Sequence, residues 1–404
     1  MKALFISYNG ALEPLIQSQG IPYLKGLSDK GIKCSLLSFE KKIEGAVRLK
    51  KELNEYGIEW YYLRYHKSPT LPATLFDIIT GTLSGLFIVI FKNINIIHAR
   101  GTVSAVIGYI IARLTGKKFI FDVRGLMAEE YVDGGVWKRN SFLYKVTLYM
   151  EKILLHRADK AIVLTQNIRD FLINSNYLQK HYIKKNNITV IPCCVDIKKF
   201  NTEESVLTEK LREKYGLFGK FVFLYIGSVG TWYLLDEMID FFITAKSLIN
   251  NAHFLILTYI DKNMVMSSCE KKGLSFSDIT VDEAEFCNMP HYIKLADAGL
   301  FFIKSCFSKR FSCPTKLAEY LACGLPVVIN SGVGDTGEFV SYNRIGVVIR
   351  DFYKKEYFDK AGELLKLIGE DKELSNRCRL SAENYLSLNM GIELYQDVYR
   401  ELVK

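Results

Sequence analysis

The stretch FSCPTKLAEYLACGLPVVIN, residues 311–330, predicts a turn, a short helix and an apolar strand in that order. Ser312 is a residue type that caps helices, and Pro314 suits the first turn of the helix that follows. Gly324 suits the end of this helix, and the run PVVI then has the length and composition of a buried strand. The face opposite the apolar residues carries three polar side chains, Thr315, Lys316 and Glu319.

A cation and a carboxylate three positions apart at the start of a buried helix have two explanations. They can form an exposed ion pair, which contributes little to stability. Alternatively, they bind a ligand whose phosphates contact Lys316 and whose hydroxyl groups contact Glu319. The segment alone leaves both explanations open, and the rest of the chain has to decide between them.

Strand-length apolar runs alternate with helical patterns along the whole chain, from KALFIS near the N-terminus to RIGVVIR before residue 351. Runs that are apolar on both faces and separated by helices are typical of parallel sheets covered by helices. The pattern restarts after residue 200, so the sequence predicts an α/β fold with two doubly wound Rossmann-like domains, residues 1–200 and 201–385. Ligands of such sheets bind beyond the carboxyl ends of the strands, and two facing domains would form a central cleft.

The composition is that of a globular two-domain protein. The 404 residues are 49% hydrophobic and 24% charged, which suffices for two cores and argues against disorder. The nine cysteines are odd in number and include no C-x-x-C pair, so we expect reduced thiols and no zinc site. Residues 1–200 carry a net charge of +13 and the remainder −4, which indicates an anionic partner or surface for the first half.

Two loops of the first half place glycine or charge directly after a predicted strand. Gly10, within SYNGALEPLIQSQG at residues 7–20, would let backbone amides approach an anion, and an ordinary connecting loop explains it equally well. After the fifth strand, the stretch FDVRGLMAEEYVDGG at residues 121–135 brings Asp122, Arg124, Glu129 and Glu130 close together in sequence. Arginine suits bidentate anion binding and glutamate can accept a proton from a hydroxyl group, so we expect this loop to face an acceptor.

Two features of the second half suit a phosphate-bearing ligand. In IGSVGTWY, residues 226–233, the backbone can approach a ligand at Gly227 and Gly230, and Ser228 and Thr231 can donate hydrogen bonds to phosphate. Four cations fall within thirteen positions of this otherwise acidic half: Lys304, Lys309, Arg310 and Lys316. Such a cluster indicates a diphosphate, and the alternative is a solvated basic loop.

Other site motifs are incomplete or missing in the sequence. GVGDTG, residues 332–337, has the spacing of a dinucleotide fingerprint, but the next strand follows too soon for the full helix that the fingerprint requires. We therefore expect a glycine loop beside the ligand and no NAD. The sequence contains no D-x-D and no Walker P-loop, and we expect neither a metal nor another cofactor.

The segment CPTKLAEYLACGLPVV resembles the donor-site signature of GT-B glycosyltransferases, specifically glycosyltransferase family 4. Three further stretches resemble the family in the same order: MEKILLHRADKAIVLT, VIPCCVDIKKF and MPHYIKLADAGLFFI. The resemblance implies that the N-terminal domain binds the acceptor, that the C-terminal domain binds a nucleotide-sugar, and that a helix within residues 386–404 crosses back onto the first domain. It also implies retention of anomeric configuration without a metal, and Glu319 matches the family glutamate that holds the ribose hydroxyls.

The sequence departs from the family pattern at three places. Phe311 stands where the family often has a glutamate that touches the donor sugar. The usual arginine and lysine after the first strand of the C-terminal domain are missing, and Ser228, Thr231 and Trp232 stand in their region. Arg124 replaces a family histidine beyond the fifth strand. These changes predict a donor or an acceptor that is particular to a subfamily.

The resemblance implies a metal-independent, retaining hexosyltransferase that moves a sugar from a nucleotide-diphosphate-sugar to a lipid-linked or glycan acceptor in cell-surface polysaccharide or lipopolysaccharide synthesis. The expected catalytic residues are Arg124, Glu130, Lys316 and Glu319. The expected donor site also includes Gly10, Gly227, Ser228, Gly230, Thr231, Lys304, Lys309, Ser312, Pro314 and Thr315. The alternatives are a nucleotide-sugar isomerase resembling 2-epimerases and a non-catalytic partner subunit of the same fold.

The charge of the first half and one apolar segment predict a location. Residues 74–91 are apolar but interrupted by Asp77 and several hydroxyl residues, so we expect a buried or membrane-surface helix that does not span the bilayer. We expect no secretory signal, and a protein that lies in the cytoplasm on the inner face of the plasma membrane. A dispersed enzyme without membrane contact is the alternative. No nucleic-acid-binding module occurs, so nucleic acid is not an expected partner.

Overall fold

The computed structural model describes residues 1–175, 177–178, 183–200, 205–285 and 288–403. The chain forms two compact units. Unit 1 comprises Met1–Cys193 together with Leu388–Lys404, and unit 2 comprises Cys194–Ser387. The C-terminal segment therefore packs with the first half of the chain, although it follows the second half in sequence.

Unit 1 is built on a parallel sheet. Its strands are β1 Lys2–Ser7, β2 Lys33–Glu40, β3 Glu59–Arg64, β4 Ile96–Arg100, β5 Lys118–Asp122, β6 Lys160–Val163 and β7 Ile188–Val190. The helices between them are α1 Pro14–Gln19, α2 Ile21–Asp29, α3 Ala46–Glu55, α4 Thr70–Lys92, α5 Thr102–Thr115, α6 Met127–Asp133, α7 Phe142–Arg157 and α8 Gln166–Asn174. The seven strands run in the order β3-β2-β1-β4-β5-β6-β7.

Unit 2 repeats this plan with a six-stranded sheet. Its strands are β8 Phe221–Ile226, β9 Ala252–Leu257, β10 Ile279–Asp282, β11 Ala298–Phe301, β12 Val327–Asn330 and β13 Gly346–Ile349. Its helices are α9 Val206–Lys214, α10 Leu235–Lys246, α11 Lys262–Lys271, α12 Met289–Ile293, α13 Thr315–Ala322, α14 Thr336–Asn343, α15 Lys354–Glu370 and α16 Leu374–Tyr385. The strand order is β10-β9-β8-β11-β12-β13, and the final helix of the chain is α17 Leu388–Val403.

The strand orders locate the expected ligand sites. Both sheets are parallel throughout, and strands such as β9 are buried along their whole length because helices cover both faces. The chain turns back across each sheet beside its first strand, between β1 and β4 in unit 1 and between β8 and β11 in unit 2. Crevices at such reversals are where doubly wound sheets bind ligands. The prediction of two doubly wound α/β domains is confirmed.

In unit 2, α13 is fixed to the sheet by one buried aromatic residue. Tyr320 lies on the inner face of α13, and its hydroxyl group accepts a hydrogen bond from the backbone N–H of Ile226 at 2.9 Å. Its ring lies directly against Gly299 of β11, where any side chain would collide with it. The first turn of α13 is thereby held beside the ends of β8 and β11.

In unit 1, α17 is tied to the sheet by two tyrosines. Tyr399 Oη lies 2.7 Å from His98 Nδ1, and Tyr395 donates a hydrogen bond to Asp122 at 3.2 Å. Both tyrosines are buried. The last helix therefore contacts the ends of β4 and β5 directly, and it belongs to the surroundings of any site there.

The Gly299–Tyr320 contact gives a stability prediction. Gly299→Ala should lower the free energy of unfolding by about 1–3 kcal/mol, because the added methyl group displaces the Tyr320 ring in a packed core. Gly362→Ala in α15 is the matched control, since no atom lies within 4 Å of its added methyl group, and it should gain about 0.5–1 kcal/mol. Thermal and denaturant unfolding measure both, and equal stability of the two variants would contradict this packing.

Candidate functional site

The loops after β8 and β11 are joined into one rim at the reversal of the unit 2 sheet. Leu234 N–H donates to the Phe302 carbonyl at 3.0 Å, and Lys304 N–H donates to the Trp232 carbonyl at 2.8 Å. The glycine-rich loop predicted from IGSVGTWY is thus hydrogen-bonded to the segment that begins the predicted basic cluster. These two stretches, far apart in sequence, border the same crevice as the first turn of α13.

Lys316 has the most unusual environment in this region. It lies in the first turn of α13 and is only 6% exposed, and its Nζ atom has no hydrogen-bond partner among the described residues. The Nζ atom lies 3.5 Å from the ring centroid of Tyr233 and 4.8 Å from that of Tyr225. Aromatic faces attract a cation but do not replace its hydrogen bonds. Burial lowers the pKa of Lys316 well below its usual value, and the nearby Glu319 carboxylate opposes this shift.

The glycine at the end of β8 accommodates Lys316. Gly227 has a φ of 141°, and a Cβ atom added to it would lie 3.0 Å from Lys316 Nζ. The sequence predicted that Gly227 lets the backbone approach a ligand, and the structure shows that it lets the backbone approach this ammonium group. Gly230 has a φ of 94° in the same loop, whereas Ser228 and Thr231 lie exposed beside it.

The four predicted cations divide into different environments. Lys316 is buried, and Lys309 is half-buried with its Nζ atom 4.0 Å from the ring centroid of Trp232. Lys304 and Arg310 are exposed. The backbone carbonyl of Lys309 accepts a hydrogen bond from Gly334 N–H at 3.0 Å, so the GVGDTG loop lies beside this cluster.

The remaining residues of the signature lie around the start of α13. The helix begins at Thr315 with Pro314 before it, and no side chain caps it, so the prediction that Ser312 caps the helix is wrong. Pro314 is buried, whereas Ser312, Thr315 and Glu319 are half-buried. Glu319 is close enough to Lys316 to act on its pKa. The cation and the carboxylate therefore lie together, as their spacing on the helix requires.

In unit 1, Asp122 is the centre of a buried charge cluster at the ends of β4 and β5. Its carboxylate lies 3.3 Å from Arg124 Nη1 and 3.4 Å from Arg100 Nη1. Burial opposes ionisation of Asp122, but Arg124, His98 and Arg100 outweigh it, and the pKa of Asp122 is lowered. Burial lowers the pKa of His98, so this ring is neutral. Two guanidinium groups then share one carboxylate, and the cluster carries one net positive charge.

The sequence predicted Asp122 and Arg124 in this cluster but missed Arg100, His98 and Tyr395. Arg100 is the last residue of β4, the strand beside the reversal in the sheet. A polar residue closing an apolar strand, as in IIHAR, is the signal that could have identified it. Tyr395 comes from α17, so its place here depends on the chain's return to unit 1.

The two glutamates of the 121–135 loop have different surroundings. Glu129 is buried, accepts a hydrogen bond from Tyr144 Oη at 2.8 Å and pairs with Arg139 at 3.0 Å. This is the environment of a structural residue, which argues against the predicted acceptor-facing role. Glu130 is half-buried and packs against Gly125, whose added Cβ would lie 2.8 Å from the Glu130 carboxylate.

A glutamate that the sequence did not single out holds this loop in place. Glu151 of α7 accepts hydrogen bonds from the backbone N–H groups of Met127 and Ala128, at 2.7 and 3.3 Å, and from the Thr102 hydroxyl group at 3.1 Å. Burial raises the pKa of Glu151 to about 8. Its contacts cap the start of α6 and so orient the helix that carries Glu130.

The loop around Gly10 does not present free amides. Gly10 N–H donates to Glu13 at 3.0 Å, and the N–H groups of Ala11 and Leu12 donate to Glu40 at 2.6 and 3.2 Å. A Cβ atom at Gly10 would collide with the Glu40 carboxylate. The glycine is required by this internal contact, which argues against the predicted anion site at the same amides.

The burial of Lys316 predicts how the free energy of unfolding changes with pH. Lys316→Met should raise the free energy of unfolding near neutral pH by about 1–3 kcal/mol, because it removes a buried donor that has no acceptor among the residues the structure describes. The unfolded chain holds the Lys316 proton up to about pH 10, and the folded protein releases it at lower pH. The wild type therefore gains stability relative to the variant as pH rises.

Denaturant titrations near neutral pH and at about pH 9.5 measure this difference. The exposed Lys372→Met is the matched control and should change little at either pH. A Lys316→Met protein that is less stable than the wild type, with the same pH dependence, would contradict the description of Lys316 as a destabilising buried cation.

Comparisons with known proteins agree with this architecture. Residues 24–199 match the family described as Glycosyltransferase Family 4, and a comparison with curated protein sequences gives no match. A glycosyltransferase from Rickettsia africae is 18% identical, with a TM-score of 0.74, over 100% of this chain and 98% of that one. Anabaena HepE in complex with UDP and glucose is 14% identical, with a TM-score of 0.73, over 99% of this chain and 100% of that one. WaaG, a glycosyltransferase involved in lipopolysaccharide biosynthesis, is 14% identical, with a TM-score of 0.68, over 97% of this chain and 99% of that one.

These likenesses, all below a quarter identity, establish the fold, and the family match covers residues 24–199. The two parallel-sheet α/β units of this chain match the architecture of these glycosyltransferase structures. The two units of the chain together have the GT-B glycosyltransferase fold, and residues 24–199 match the family described as Glycosyltransferase Family 4.

Proposed function

We propose that this protein is a retaining glycosyltransferase that moves a hexosyl group from a nucleotide-diphosphate-sugar to a hydroxyl group of a lipid-linked or glycan acceptor, in the synthesis of cell-surface polysaccharide. The observation that carries the proposal is Lys316, a buried cation for which the described part of the chain offers no hydrogen-bond acceptor, three residues from Glu319 at the ligand-binding end of the unit 2 sheet. Unsatisfied buried charge of this kind is tolerated where a ligand supplies the missing partner.

A nucleoside diphosphate carries groups that suit both Lys316 and Glu319 at this end of α13. Its phosphate oxygens would accept hydrogen bonds from Lys316 and from the N–H groups of the first turn of α13. Its ribose hydroxyl groups would donate to Glu319, as the resemblance to the family implies. Anabaena HepE, which has the same fold, is known in complex with UDP and with UDP-glucose, and this supports a nucleotide-sugar as the donor.

Departure of the nucleoside diphosphate leaves negative charge on a phosphate oxygen when the bond from the anomeric carbon breaks. Fixed positive groups that face this oxygen lower the barrier most, because they need no rearrangement during the reaction. We assign this role to Lys316 and Lys309, and we infer that no metal is needed. The acceptor hydroxyl oxygen attacks the same face of the sugar, and its proton passes to the leaving phosphate oxygen.

The charge cluster of unit 1 supports an anionic acceptor. Arg124 and Arg100 share a single carboxylate, that of Asp122, and the guanidinium group of Arg124 is the more exposed of the two. A phosphate group on a lipid-linked acceptor would balance the remaining positive charge, with Glu130 on the same loop beside the reacting hydroxyl group. WaaG, of the same fold, acts in lipopolysaccharide biosynthesis, and this supports an acceptor of that class. Such an acceptor would keep the enzyme in the cytoplasm at the inner face of the plasma membrane.

Glu319 gives the test of the donor site. Glu319→Gln should weaken nucleotide-sugar binding by about tenfold or more, because an amide loses the charged acceptor for the ribose hydroxyl groups, and hydrogen bonds to charged groups contribute about 1.5–3 kcal/mol. Titration of UDP- and GDP-sugars by thermal shift measures it, since a ligand at a hundred times its dissociation constant stabilises by about 2.7 kcal/mol. Glu370→Gln, exposed on α15, is the control. Unchanged affinity in Glu319→Gln would refute the donor-site assignment.

A turnover assay separates the transferase from its alternatives. With the best-bound nucleotide-sugar and a lipid extract as acceptor, we expect sugar transfer that continues in EDTA, because Lys316 and Lys309 supply the positive charge. An epimerised nucleotide-sugar formed without acceptor would instead identify an isomerase. Binding without turnover would favour a non-catalytic subunit. This alternative is tested because Phe311 stands where the family often has a glutamate that touches the donor sugar. Loss of transfer in EDTA, restored by magnesium or manganese, would contradict the metal-independent mechanism.

A further inference from the structure

Helix α4 exposes a continuous apolar face. Eight of its large apolar side chains are between 48 and 70% exposed, among them Leu75, Ile79, Leu83 and Phe87, which follow each other at intervals of four residues. Residues four apart lie on the same side of a helix, so these side chains form one stripe. From Leu71 to Phe91, at a rise of 1.5 Å per residue, the exposed apolar side chains extend for about 30 Å. Contiguous apolar surface of this extent marks an interaction site.

The opposite face of α4 is packed into unit 1. Gly81 lies against Phe39 and Ile107, and Gly85 lies against Ile111, so the helix approaches its neighbours more closely than any side chain would allow. Asp77 on this face is fully buried and accepts a hydrogen bond from Tyr8 Oη at 2.9 Å. The exposed stripe is therefore the side of α4 that the unit leaves uncovered.

The contacts of the packed face also determine whether α4 can cross a membrane or only lie along its surface. The helix has 23 residues and is long and apolar enough to cross a bilayer by length and composition, which is weak evidence on its own. Crossing would strip Asp77 of its contacts with Tyr8 and His66 and leave a carboxylate in hydrocarbon. A helix that keeps one face on the protein and exposes the other can only lie along a surface.

The neighbouring helices make this side of unit 1 cationic. Helix α5 packs against both α4 and α7, and right-handed crossovers place all three on the same face of the sheet. The only carboxylates on these three helices are Asp77 and Glu151, and both are buried. Arg113, Lys145 and Arg157 on the same helices are exposed. A second apolar row on α7 accompanies them, formed by Phe142, Val146 and Tyr149.

We infer that the exposed face of α4 inserts into the interface of an anionic lipid bilayer, with the helix lying in the membrane plane and the cations of α5 and α7 at the level of the lipid phosphates. Apolar rows flanked by exposed arginine and lysine are what interfacial helices use to bind anionic lipids. A second copy of this chain fits the surface less well, because pairing two such faces would bring like charges together. The inference extends the proposed function, whose acceptor is lipid-linked, and can be tested without turnover.

The test uses the full-length protein and vesicles of phosphatidylcholine with or without phosphatidylglycerol. The wild type should float with the vesicles that contain phosphatidylglycerol, and high salt should reduce this binding without abolishing it, because inserted apolar side chains are not screened. L83Q/F87Q should lower the bound fraction by about tenfold or more. V206Q/F218Q, which changes two equally exposed apolar residues of unit 2, is the matched control and should float like the wild type.

Three outcomes of this test would overturn the inference. It fails if L83Q/F87Q floats like the wild type, or if the wild type ignores anionic vesicles at low salt. It also fails if light scattering shows a wild-type dimer that L83Q/F87Q converts to a monomer while neither floats, since α4 would then pair two copies. Nucleotide-sugar binding is measured separately in solution. If L83Q/F87Q keeps that affinity, its loss of flotation concerns the membrane surface alone, and a wild type that floats but binds no nucleotide-sugar contradicts only the proposed function.

Discussion

Parallel pairing of every strand is the constraint on which the rest of this structure depends. A parallel sheet must be buried on both faces, so each strand is followed by a helix that returns the chain to the other end of the sheet. All carboxyl ends then lie along one edge, and a crevice opens where the strand order reverses. The charged residues of unit 1 at the ends of β4 and β5, and the first turn of α13 beside β8 and β11, lie at these crevices.

The buried charges of the two crevices differ in whether they have polar partners. In unit 1, the Asp122 carboxylate contacts two arginines and accepts a hydrogen bond from Tyr395. Because two guanidinium groups face one carboxylate, the cluster keeps one net positive charge. In unit 2, Lys316 has aromatic faces around its ammonium group and no oxygen within hydrogen-bonding distance among the described residues. A buried ammonium group without an acceptor destabilises the folded protein, and such groups are found mainly at functional sites. We therefore assign its missing partner to a ligand.

Buried carboxylates, rather than glycines, shape the loops of unit 1. Glu40 accepts hydrogen bonds from the backbone N–H groups of Ala11 and Leu12. Glu151 accepts hydrogen bonds from those of Met127 and Ala128. Both loops follow strands at the ligand-binding edge and have few backbone partners of their own, so a carboxylate from a neighbouring element fixes their conformation. The charged residues that could meet an acceptor are thereby reduced to the arginines and Glu130, while Glu129 belongs to the framework.

The sequence by itself determined the two α/β units, the position of α13 and the placement of Lys316 near Glu319, because hydrophobic periodicity and helical spacing are local properties of the chain. It did not reveal that Tyr233 and Tyr225 enclose Lys316, that Arg100 and Tyr395 join Asp122, or that Glu40 and Glu151 occupy the loop amides. The same segment 74–91 was equally consistent with a core helix and with a surface helix. Only the tertiary structure decided these points, because each depends on which elements the strand order makes neighbours, and residues hundreds of positions apart carry no local signal of that contact.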